Sequence, residues 1–426
     1  MKKEMFKDII GYDKVKKSLE RVIDVLNNKD KYKELGCVIP HGLLLYGEPG
    51  LGKSTFAFNM IEALNRKSYV IRKNKSDGSF INYLNKVFED AKDNQPSVIL
   101  LDDIDKFSED DGKNNNEEFV TVQSLIDDIR DMDIFVIATA NNKYALPKSL
   151  LRSGRFDIKI KIDYPKEKDS LEIMKYYLSN KKLDDDVNIK NISYILGNFS
   201  CADLEKVCNQ AGLYAGFNNK KKIGMEELLI ASLELEYGTN IDDINKDDKY
   251  DLEVSYHEAG HALVGELLEP GSVSFITVMK TDSDTRGATK YHSNEYYYSD
   301  IKYMENRVIT LLAGKAATEI IYHKCDVGTN SDLKRAYNIV SDFVDGYCML
   351  DFNSWIRNTV EQSEMVKESK DSNINKMISK YYDKALELLL SNRDKLEILA
   401  NNLNKKKILF QDEIENIINN PLDYKV

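Results

Sequence analysis

The chain has 426 residues, enough for two or three domains, and its charged and hydrophobic fractions are ordinary for a soluble globular protein. A formal net charge of -11 argues against a protein held mainly by nucleic-acid phosphates, because that function requires a basic surface. The five cysteines are scattered, odd in number and form no C-x-x-C pair, so they predict reduced thiols in a cytoplasmic protein.

Short apolar runs alternate with helix-like segments over residues 1–165, a pattern typical of βαβ units around a parallel sheet. The apolar spacing then becomes helical, and a polar, charged stretch leads into a mostly helical C-terminal part with a single predicted strand. The predicted strands cover 42–47, 68–72, 97–103, 134–140 and 272–280. The expected domains are 1–165 (α/β), 166–240 (helical), 241–250 (linker) and 251–426 (mainly helical).

A phosphate-binding loop is predicted at GEPGLGKS, which fits G-x-x-x-x-G-K-[ST] between a predicted strand and a predicted helix. Its glycines let successive backbone N–H groups point at phosphate oxygens. Lys53 would reach the β- and γ-phosphates of ATP, and the Ser54 hydroxyl would bind Mg²⁺. The nucleotide-binding candidates in this segment are Gly47, Glu48, Pro49, Gly50, Leu51, Gly52, Lys53, Ser54 and Thr55.

Candidate residues for ATP hydrolysis follow the next predicted strands. Asp102 fits the position behind Mg²⁺, and Asp103 is placed to orient the attacking water. Asn141 follows a further strand, from which its amide could reach the γ-phosphate or that water. Arg152 and Arg155, in LLRSGRFD, are either a surface pair or arginine fingers on a neighbour's nucleotide, and their spacing leaves both readings open.

Taken in order, these blocks resemble the AAA ATPase module. The resemblance also includes DIIGYDKVKKSLERV near the N-terminus and NFSCADLEKVCNQAGLYA in the helical part. It implies a homo-oligomeric ring, usually of six subunits, in which Arg152 and Arg155 act on the adjacent subunit's site. It also implies that Ile9, Ile10 and Gly11 lie near the adenine.

The segment SYHEAGHALVGE contains His257 and His261, which are four residues apart and therefore share one face of a helix. Glu258 points about 100° away and would reach a water held on the metal rather than the metal itself. This H-E-x-x-H pattern is typical of zinc proteases with a carboxylate base. An exposed helix with two solvated histidines is the alternative, but chance alone gives the pattern in fewer than about one such sequence in a hundred.

Spacing does not identify the third metal ligand. Glu319 and His323 lie four residues apart on one predicted helix face, and Asp332 lies in the first turn of another predicted helix. On chemistry alone His323 would be the richer zinc donor. All three candidates remain open at this point.

A second resemblance covers nearly the whole chain. The H-E-x-x-H segment, VITLLAGKAATEII and DVGTNSDLKRAYNIVSDFV look like the peptidase domain of FtsH-type AAA zinc metalloproteases. The resemblance implies Zn²⁺ on His257, His261 and Asp332, with Glu258 as general base and the other two candidates structural. It implies a multidomain fold, an α/β P-loop AAA module with a helical lid followed by a mainly α-helical metallopeptidase domain. The expected function is ATP-dependent zinc endopeptidase activity on polypeptides, with ATP, Mg²⁺ and Zn²⁺ as cofactors.

Three departures from the family pattern qualify this expectation. The family usually begins with a membrane-spanning segment, but no apolar run here approaches the ~20 residues required, so we expect a soluble relative or one tethered to a membrane by a partner. Asp103 stands where the family has glutamate, which predicts slower hydrolysis because positioning is sensitive at the ångström level. Segment 76–78 lacks the aromatic of the family's pore loop, although Phe80 is close.

Two alternative functions follow from these departures. One is a chaperone-like or regulatory AAA assembly in which proteolysis is weak or lost. The other is a zinc peptidase that uses ATP only to assemble its ring.

Overall fold

The computed structural model describes residues 5–7, 9–73, 79–107, 117–238, 250–280, 286–292, 300–323, 329–347, 349 and 364–424. Most of the predicted linker and all of segment 76–78 lie outside these ranges. Packing of the backbone divides the chain into two units, Met1–Leu183 with Leu196–Lys222 and Asp184–Ile195 with Ile223–Val426. The domain boundaries expected from the sequence stay a prediction.

The secondary structure of the described residues is mainly helical. The strands are β1 (Gly42–Tyr46), β2 (Lys67–Ile71), β3 (Ser97–Leu101), β4 (Ile134–Ala140), β5 (Ile158–Lys161), β6 (Val273–Lys280), β7 (Arg286–Tyr291) and β8 (Ile408–Phe410). The helices are α1 (Asp13–Asn27), α2 (Lys29–Glu34), α3 (Lys53–Leu64), α4 (Phe80–Asp93), α5 (Glu117–Asp128), α6 (Glu167–Leu178), α7 (Ile189–Ile195), α8 (Cys201–Phe217), α9 (Met225–Tyr237), α10 (Asp251–Leu268), α11 (Ile301–Tyr322), α12 (Asn330–Asp345), α13 (Glu364–Ser391), α14 (Arg393–Lys406) and α15 (Gln411–Asn419).

The first unit is built on a parallel sheet with strand order β2-β3-β4-β1-β5. The prediction of a parallel α/β fold is confirmed. Strands β3 and β4 are buried at every position, as their continuous apolar runs predict. The edge strand β2 is largely exposed, and the other edge strand, β5, was not predicted. Its IKIK sequence alternates and is too short to stand out as an apolar run.

Side chains of the sheet alternate between two hydrophobic cores, because successive residues of a strand point to opposite faces. Leu44 and Val136 pack with residues of α4 and α5 on one face. Leu43 and Leu45 pack with residues of α1 and α3 on the other. Phe80, the aromatic near the predicted pore segment, is buried against Phe107 with ring centroids 4.9 Å apart, so it is a core residue in this structure.

The second unit is organised around α10, whose residues from Ser255 to Glu266 are all buried. Helix α11 crosses it at Gly260, where a Cβ would lie 2.6 Å from Ala317 Cβ and 2.7 Å from the Ala313 carbonyl oxygen. Only glycine allows this approach. The middle of the helix is therefore closely packed, which fixes the positions of its buried side chains.

An antiparallel sheet with strand order β7-β6-β8 packs against α10. The sequence predicted only β6 in this part of the chain, so the expectation of a single strand was wrong. Strand β7 has half-buried residues throughout and no apolar run, and β8 has only three residues. None of the helices within the described ranges combines the length and the apolar composition needed to cross a membrane.

Candidate active site

The predicted phosphate loop lies between β1 and α3, and its last residues form the first turn of α3. Gly50 and Gly52 have positive φ angles of 77° and 81°, which glycine adopts without strain. A Cβ on Gly50 would lie 2.6 Å from Ser200 Oγ, and the Ala202 N–H donates to the Gly50 carbonyl over 3.1 Å. The start of α8 therefore holds the loop in shape. The residues carried by this loop and turn are Gly47, Glu48, Pro49, Gly50, Leu51, Gly52, Lys53, Ser54 and Thr55.

Lys53 is 6% exposed and folds back over the loop. Its Nζ donates to the carbonyl oxygens of Gly47 and Glu48, each at 2.8 Å. Burial lowers the pKa of its ammonium group. The loop therefore presents both N–H groups and a buried cation, which is the chemistry that binds phosphate anions.

The Asp102 carboxylate is the centre of a hydrogen-bond cluster just after β3. Its Oδ1 accepts from Ser54 Oγ at 2.8 Å and from Thr139 Oγ1 at 2.7 Å. Its Oδ2 accepts from the Arg72 guanidinium. Burial tends to raise the pKa of Asp102, but these hydrogen bonds outweigh burial and hold the pKa below its usual value. Ser54 and Asp102 come together as the sequence predicts, whereas Arg72 and Thr139 were not predicted.

Asp103 follows in the left-handed conformation, with φ of 55°. Its backbone N–H donates to Thr139 Oγ1 at 2.8 Å, and its carboxylate accepts from Lys106 Nζ at 2.7 Å. The Thr139 hydroxyl thus bridges the backbone of Asp103 and the side chain of Asp102. The carboxylate of Asp103 is partly exposed, and its lysine partner is on the surface.

Asn141 lies directly after β4, at the same edge of the sheet. The backbone N–H groups of Asn141 and Asn142 donate to Asp105 Oδ2 at 2.9 and 3.2 Å. Asp105 therefore fixes the backbone that carries the Asn141 amide. No role for Asp105 was predicted from the sequence.

The two candidate arginine fingers differ in their surroundings. Arg155 donates to both carboxylate oxygens of Asp127, at 3.0 and 2.7 Å, and also to Gln123 and to the Ser149 carbonyl. The Arg152 carbonyl accepts from the Arg155 N–H at 3.3 Å, but its exposed side chain has no hydrogen bond or ion pair to any residue in the described ranges. Arg155 is thus held within its own subunit, while Arg152 is available to another molecule.

The segment expected near the adenine packs against α6. Ile9 is buried and Ile10 is half-buried. Gly11 has φ of 68°, and a Cβ there would lie 2.5 Å from Asp169 Oδ1. The close packing at Gly11 fixes this segment on the same unit as the phosphate loop.

His257, His261 and Asp332 form a candidate metal site, the metal cluster, in which one ligand atom from each residue lies within 4.8 Å of the others. The two Nε2 atoms are 3.0 Å apart, and Asp332 Oδ2 lies 3.3 Å from His257 Nε2 and 3.2 Å from His261 Nε2. The histidines come from adjacent turns of α10 and the aspartate from the first turn of α12. Burial tends to raise the Asp332 pKa, but hydrogen bonds to both imidazoles hold it well below its usual range.

Three neighbouring residues leave ligand atoms and space in the metal cluster for a zinc ion. His261 Nδ1 lies 2.7 Å from the Thr310 carbonyl, so this nitrogen must be the donor and Nε2 is left for a metal. Arg335 donates to Asp332 Oδ1 at 2.7 Å, which leaves Oδ2 toward the histidines. A Cβ on Gly314 would lie 2.5 Å from His261 Nε2, so α11 leaves a space that any other residue would fill. Two imidazoles and a carboxylate are a donor set that zinc accepts.

Glu258 lies beside the metal cluster and is 5% exposed. The Thr289 hydroxyl on β7 donates to Glu258 Oε2 at 2.6 Å. A Cβ on Gly287, also on β7, would lie 2.5 Å from Glu258 Oε1. Burial raises the pKa of this carboxyl to about 7, although His257 and Thr289 act in the opposite direction. Thr289 and Gly287 were missed because β7 itself gave no strand signal.

The other candidate ligands lie elsewhere in the second unit. Glu319 accepts from Lys315 Nζ at 2.9 Å and from the Tyr382 hydroxyl, and the side chain is exposed. His323 ends α11 with φ of 52°. The structure brings Asp332, rather than Glu319 or His323, to the two histidines.

In comparisons with known proteins, two family models match different parts of the chain. The model of peptidase family M41 matches residues 245–417, and the model of the ATPase family associated with various cellular activities (AAA) matches residues 43–164. The chain is similar to ATP-dependent zinc metalloprotease FtsH 2 of Thermoanaerobacter sp. (strain X514), with 31% identity over 97% of this chain and 82% of that protein. It is 32% identical to the FtsH of Caldicellulosiruptor bescii, over 98% of this chain and 72% of that protein. For the FtsH of Bacillus subtilis the identity is 30%, over 98% and 70%.

Proposed function

The chain belongs to the FtsH family of ATP-dependent zinc metalloproteases, and we propose that the metal cluster holds its zinc ion and that Glu258 is its general base. It is a zinc metallopeptidase with an AAA ATPase module, and its cofactors are Zn²⁺, ATP and Mg²⁺. The observation that carries the residue assignment is the convergence of two imidazole nitrogens and one carboxylate oxygen next to a buried glutamate.

The chemistry of Glu258 follows from its surroundings. Zinc, when bound, supplies a Lewis acid that polarises the substrate carbonyl. Thr289 occupies Glu258 Oε2, so Oε1 is the oxygen that takes a proton from the attacking water and passes it to the leaving amine. Burial raises the pKa of this carboxyl, which makes it a better proton acceptor than an exposed glutamate. The absence of a Cβ at Gly287 leaves room for this oxygen.

For the ATPase module we propose the roles expected from the sequence. Lys53 and the loop glycines bind the phosphates, and Ser54 with Asp102 supports Mg²⁺. Ile10 and Gly11 lie near the adenine. The backbone of Asn141 is held in place for contact with the γ-phosphate or the water that Asp103 orients.

The assembly and the cellular location are also proposals. Substrates are polypeptides, and we propose a ring of six identical subunits in which the exposed Arg152 reaches the adjacent nucleotide. The tie between Arg155 and Asp127 makes Arg155 the weaker candidate for that role. A cytoplasmic location fits the free thiols of Cys37, Cys201 and Cys208. Tethering to a membrane through a partner stays a prediction.

Degradation of an unfolded protein substrate, measured with and without ATP, tests this function. Glu258→Gln should abolish cleavage and keep the zinc, because the glutamate is not a ligand. Glu319→Gln on α11 is the matched control and should cleave normally. Lys53→Ala should lose nucleotide binding and with it ATP-dependent cleavage.

The outcomes separate the alternatives. Normal cleavage by Glu258→Gln would contradict the assigned base, and absence of cleavage by the wild-type chain with zinc and ATP would favour the chaperone-like alternative. Normal cleavage by a ring that needs ATP to assemble but not ATP hydrolysis, as shown with a non-hydrolysable ATP analogue, would favour ATP as an assembly factor only.

A further inference from the structure

Arg72 lies in the ATPase site although no sequence motif points to it. Strands β2 and β3 are paired in register with Ile71 opposite Leu101, so the residues after the two strands are neighbours. The Asp102 N–H donates to the Ile71 carbonyl at 3.0 Å and continues this pairing. The Arg72 side chain then reaches the Asp102 carboxylate, with Nε at 2.8 Å and Nη2 at 2.6 Å from the same oxygen, Oδ2.

The two arginine contacts complete the hydrogen bonding of Asp102. Oδ1 already accepts from Ser54 and Thr139, so four donors surround a carboxylate that has about four lone-pair positions. The Arg72 guanidinium also lies over the Phe58 ring, 5.8 Å from its centroid, and Phe58 belongs to the helix that begins at the phosphate loop. The arginine is therefore held from two sides.

The arrangement also leaves the ion pair open to a ligand. Asp102 is buried, but the Arg72 side chain is 53% exposed, so solvent or a ligand can reach the arginine side of the pair. Its partner, by contrast, is the carboxylate that supports Mg²⁺ in the proposed ATPase site. The hydroxyl on the other oxygen, Ser54, is the proposed Mg²⁺ ligand.

The charges of the site lead to the same conclusion. Lys106 pairs with Asp103 and backbone N–H groups bind Asp105, so the carboxylates around Asp102 already have protein donors. At Asp102 the donor is Arg72, which carries a permanent positive charge because a guanidinium does not titrate in proteins. A second cation arriving at Asp102 meets repulsion from Arg72 and competition for Oδ2.

We propose that Arg72 is a positioning residue of the ATPase site that holds the Asp102 carboxylate and competes with Mg²⁺ for it. The inference rests on the proposed binding of Mg²⁺ and nucleotide at the phosphate loop. It adds that Arg72 supplies part of the positive charge that Mg²⁺ supplies in such sites. Removal of this charge should make the nucleotide complex bind Mg²⁺ more tightly.

The test is a Mg²⁺ titration of the full chain saturated with a fluorescent ADP analogue, read as the fluorescence change on binding. Arg72→Met should lower the half-saturating Mg²⁺ concentration by about threefold to tenfold, the effect of one nearby charge in a partly exposed site. Arg72→Lys should stay near the wild-type value, because the charge remains. If Arg72→Met fails to fold, Arg72→Gln removes the charge, keeps a donor and should give the same shift.

Arg66→Met is the matched control. Arg66 pairs with Asp133 at 2.7 Å in the same unit, but both residues precede their strands and so lie at the opposite end of the sheet. Its loss should leave the Mg²⁺ titration unchanged. An unchanged or higher Mg²⁺ requirement in Arg72→Met and Arg72→Gln would overturn the inference. Failure of the wild-type chain to bind the ADP analogue would instead contradict the proposed function on which the inference rests.

Discussion

The nucleotide site and the metal cluster are assembled in opposite ways. The phosphate loop is one continuous segment, and the residues around it follow adjacent strands of a parallel sheet. Its charged groups already have hydrogen-bond partners within the protein, as Lys53 has in the loop carbonyls. The metal cluster joins two helices, and its three acceptor atoms face each other within 3.3 Å. The first site suits a ligand that binds reversibly, and the second suits a cation that remains bound.

Removal of the distant ligand should separate the two sites most clearly. We expect Asp332→Ala to weaken zinc binding by more than the ~10- to 100-fold typical of changes around a metal site, because a ligand itself is lost. Cleavage should be lost while ATP binding is kept. Zinc content after dialysis, measured by elemental analysis, is the readout, with Glu319→Ala as control. Full zinc content in Asp332→Ala would return Glu319 and His323 to consideration.

Filling the space beside the histidines should have the next largest effect. Gly314→Ala places a methyl group 2.5 Å from His261 Nε2, so one imidazole must move away from the metal position. We expect zinc affinity to fall by about 10- to 100-fold. Gly216→Ala on α8 is the matched control, because a Cβ there meets nothing within 4 Å. Equal zinc affinity in the two variants would show that the cluster is looser than its geometry indicates.

At the nucleotide site we expect a smaller effect, and it is a gain of activity rather than a loss. Asp103→Glu extends the carboxylate by one methylene toward the proposed water, and we expect the ATPase rate to rise by about threefold to tenfold at unchanged nucleotide affinity. Steady-state phosphate release measures the rate. A slower variant would mean that Asp103, with its backbone at φ of 55°, is already placed as the site requires.

The smallest effect concerns the arginine pair. Arg155→Ala removes the bidentate contact to Asp127, and we expect a loss of about 1 kcal/mol in the free energy of unfolding, because the pair is partly exposed. Arg152→Ala, the control, should leave thermal stability unchanged. If Arg152→Ala were the destabilising variant, the assignment of Arg152 as the residue available to a neighbouring subunit would be wrong.

The difference between the sites also explains what the sequence could predict. The phosphate loop, β1, β3, β4 and the H-E-x-x-H helix are local patterns with strong signals. The third ligand lies 71 residues from His261, and only a family resemblance chose Asp332 among the three candidates. A contact between two separate helices or strands does not affect the residue spacing within either of them, so spacing cannot predict it.

Other parts of the sites were missed for related reasons. Strand β7, which carries Thr289, has no apolar run or alternation, since its residues are all half-buried. Arg72 follows an edge strand as an ordinary charged residue, and its role depends on the register of that strand with β3. Phe80 was considered for the pore because of its position, but it is buried in the core. Strand pairing and side-chain packing determine the roles of these residues, and a local sequence pattern predicts neither.

Anomalous X-ray diffraction at the zinc edge on crystals of the full chain would test the central claim most directly. The account predicts one peak about 2.0–2.2 Å from the Nε2 atoms of His257 and His261 and from Asp332 Oδ2. Glu258 should lie outside the ligand set. A peak beside Glu319 or His323, or a zinc ion bound by the two histidines with Asp332 turned away, would contradict it.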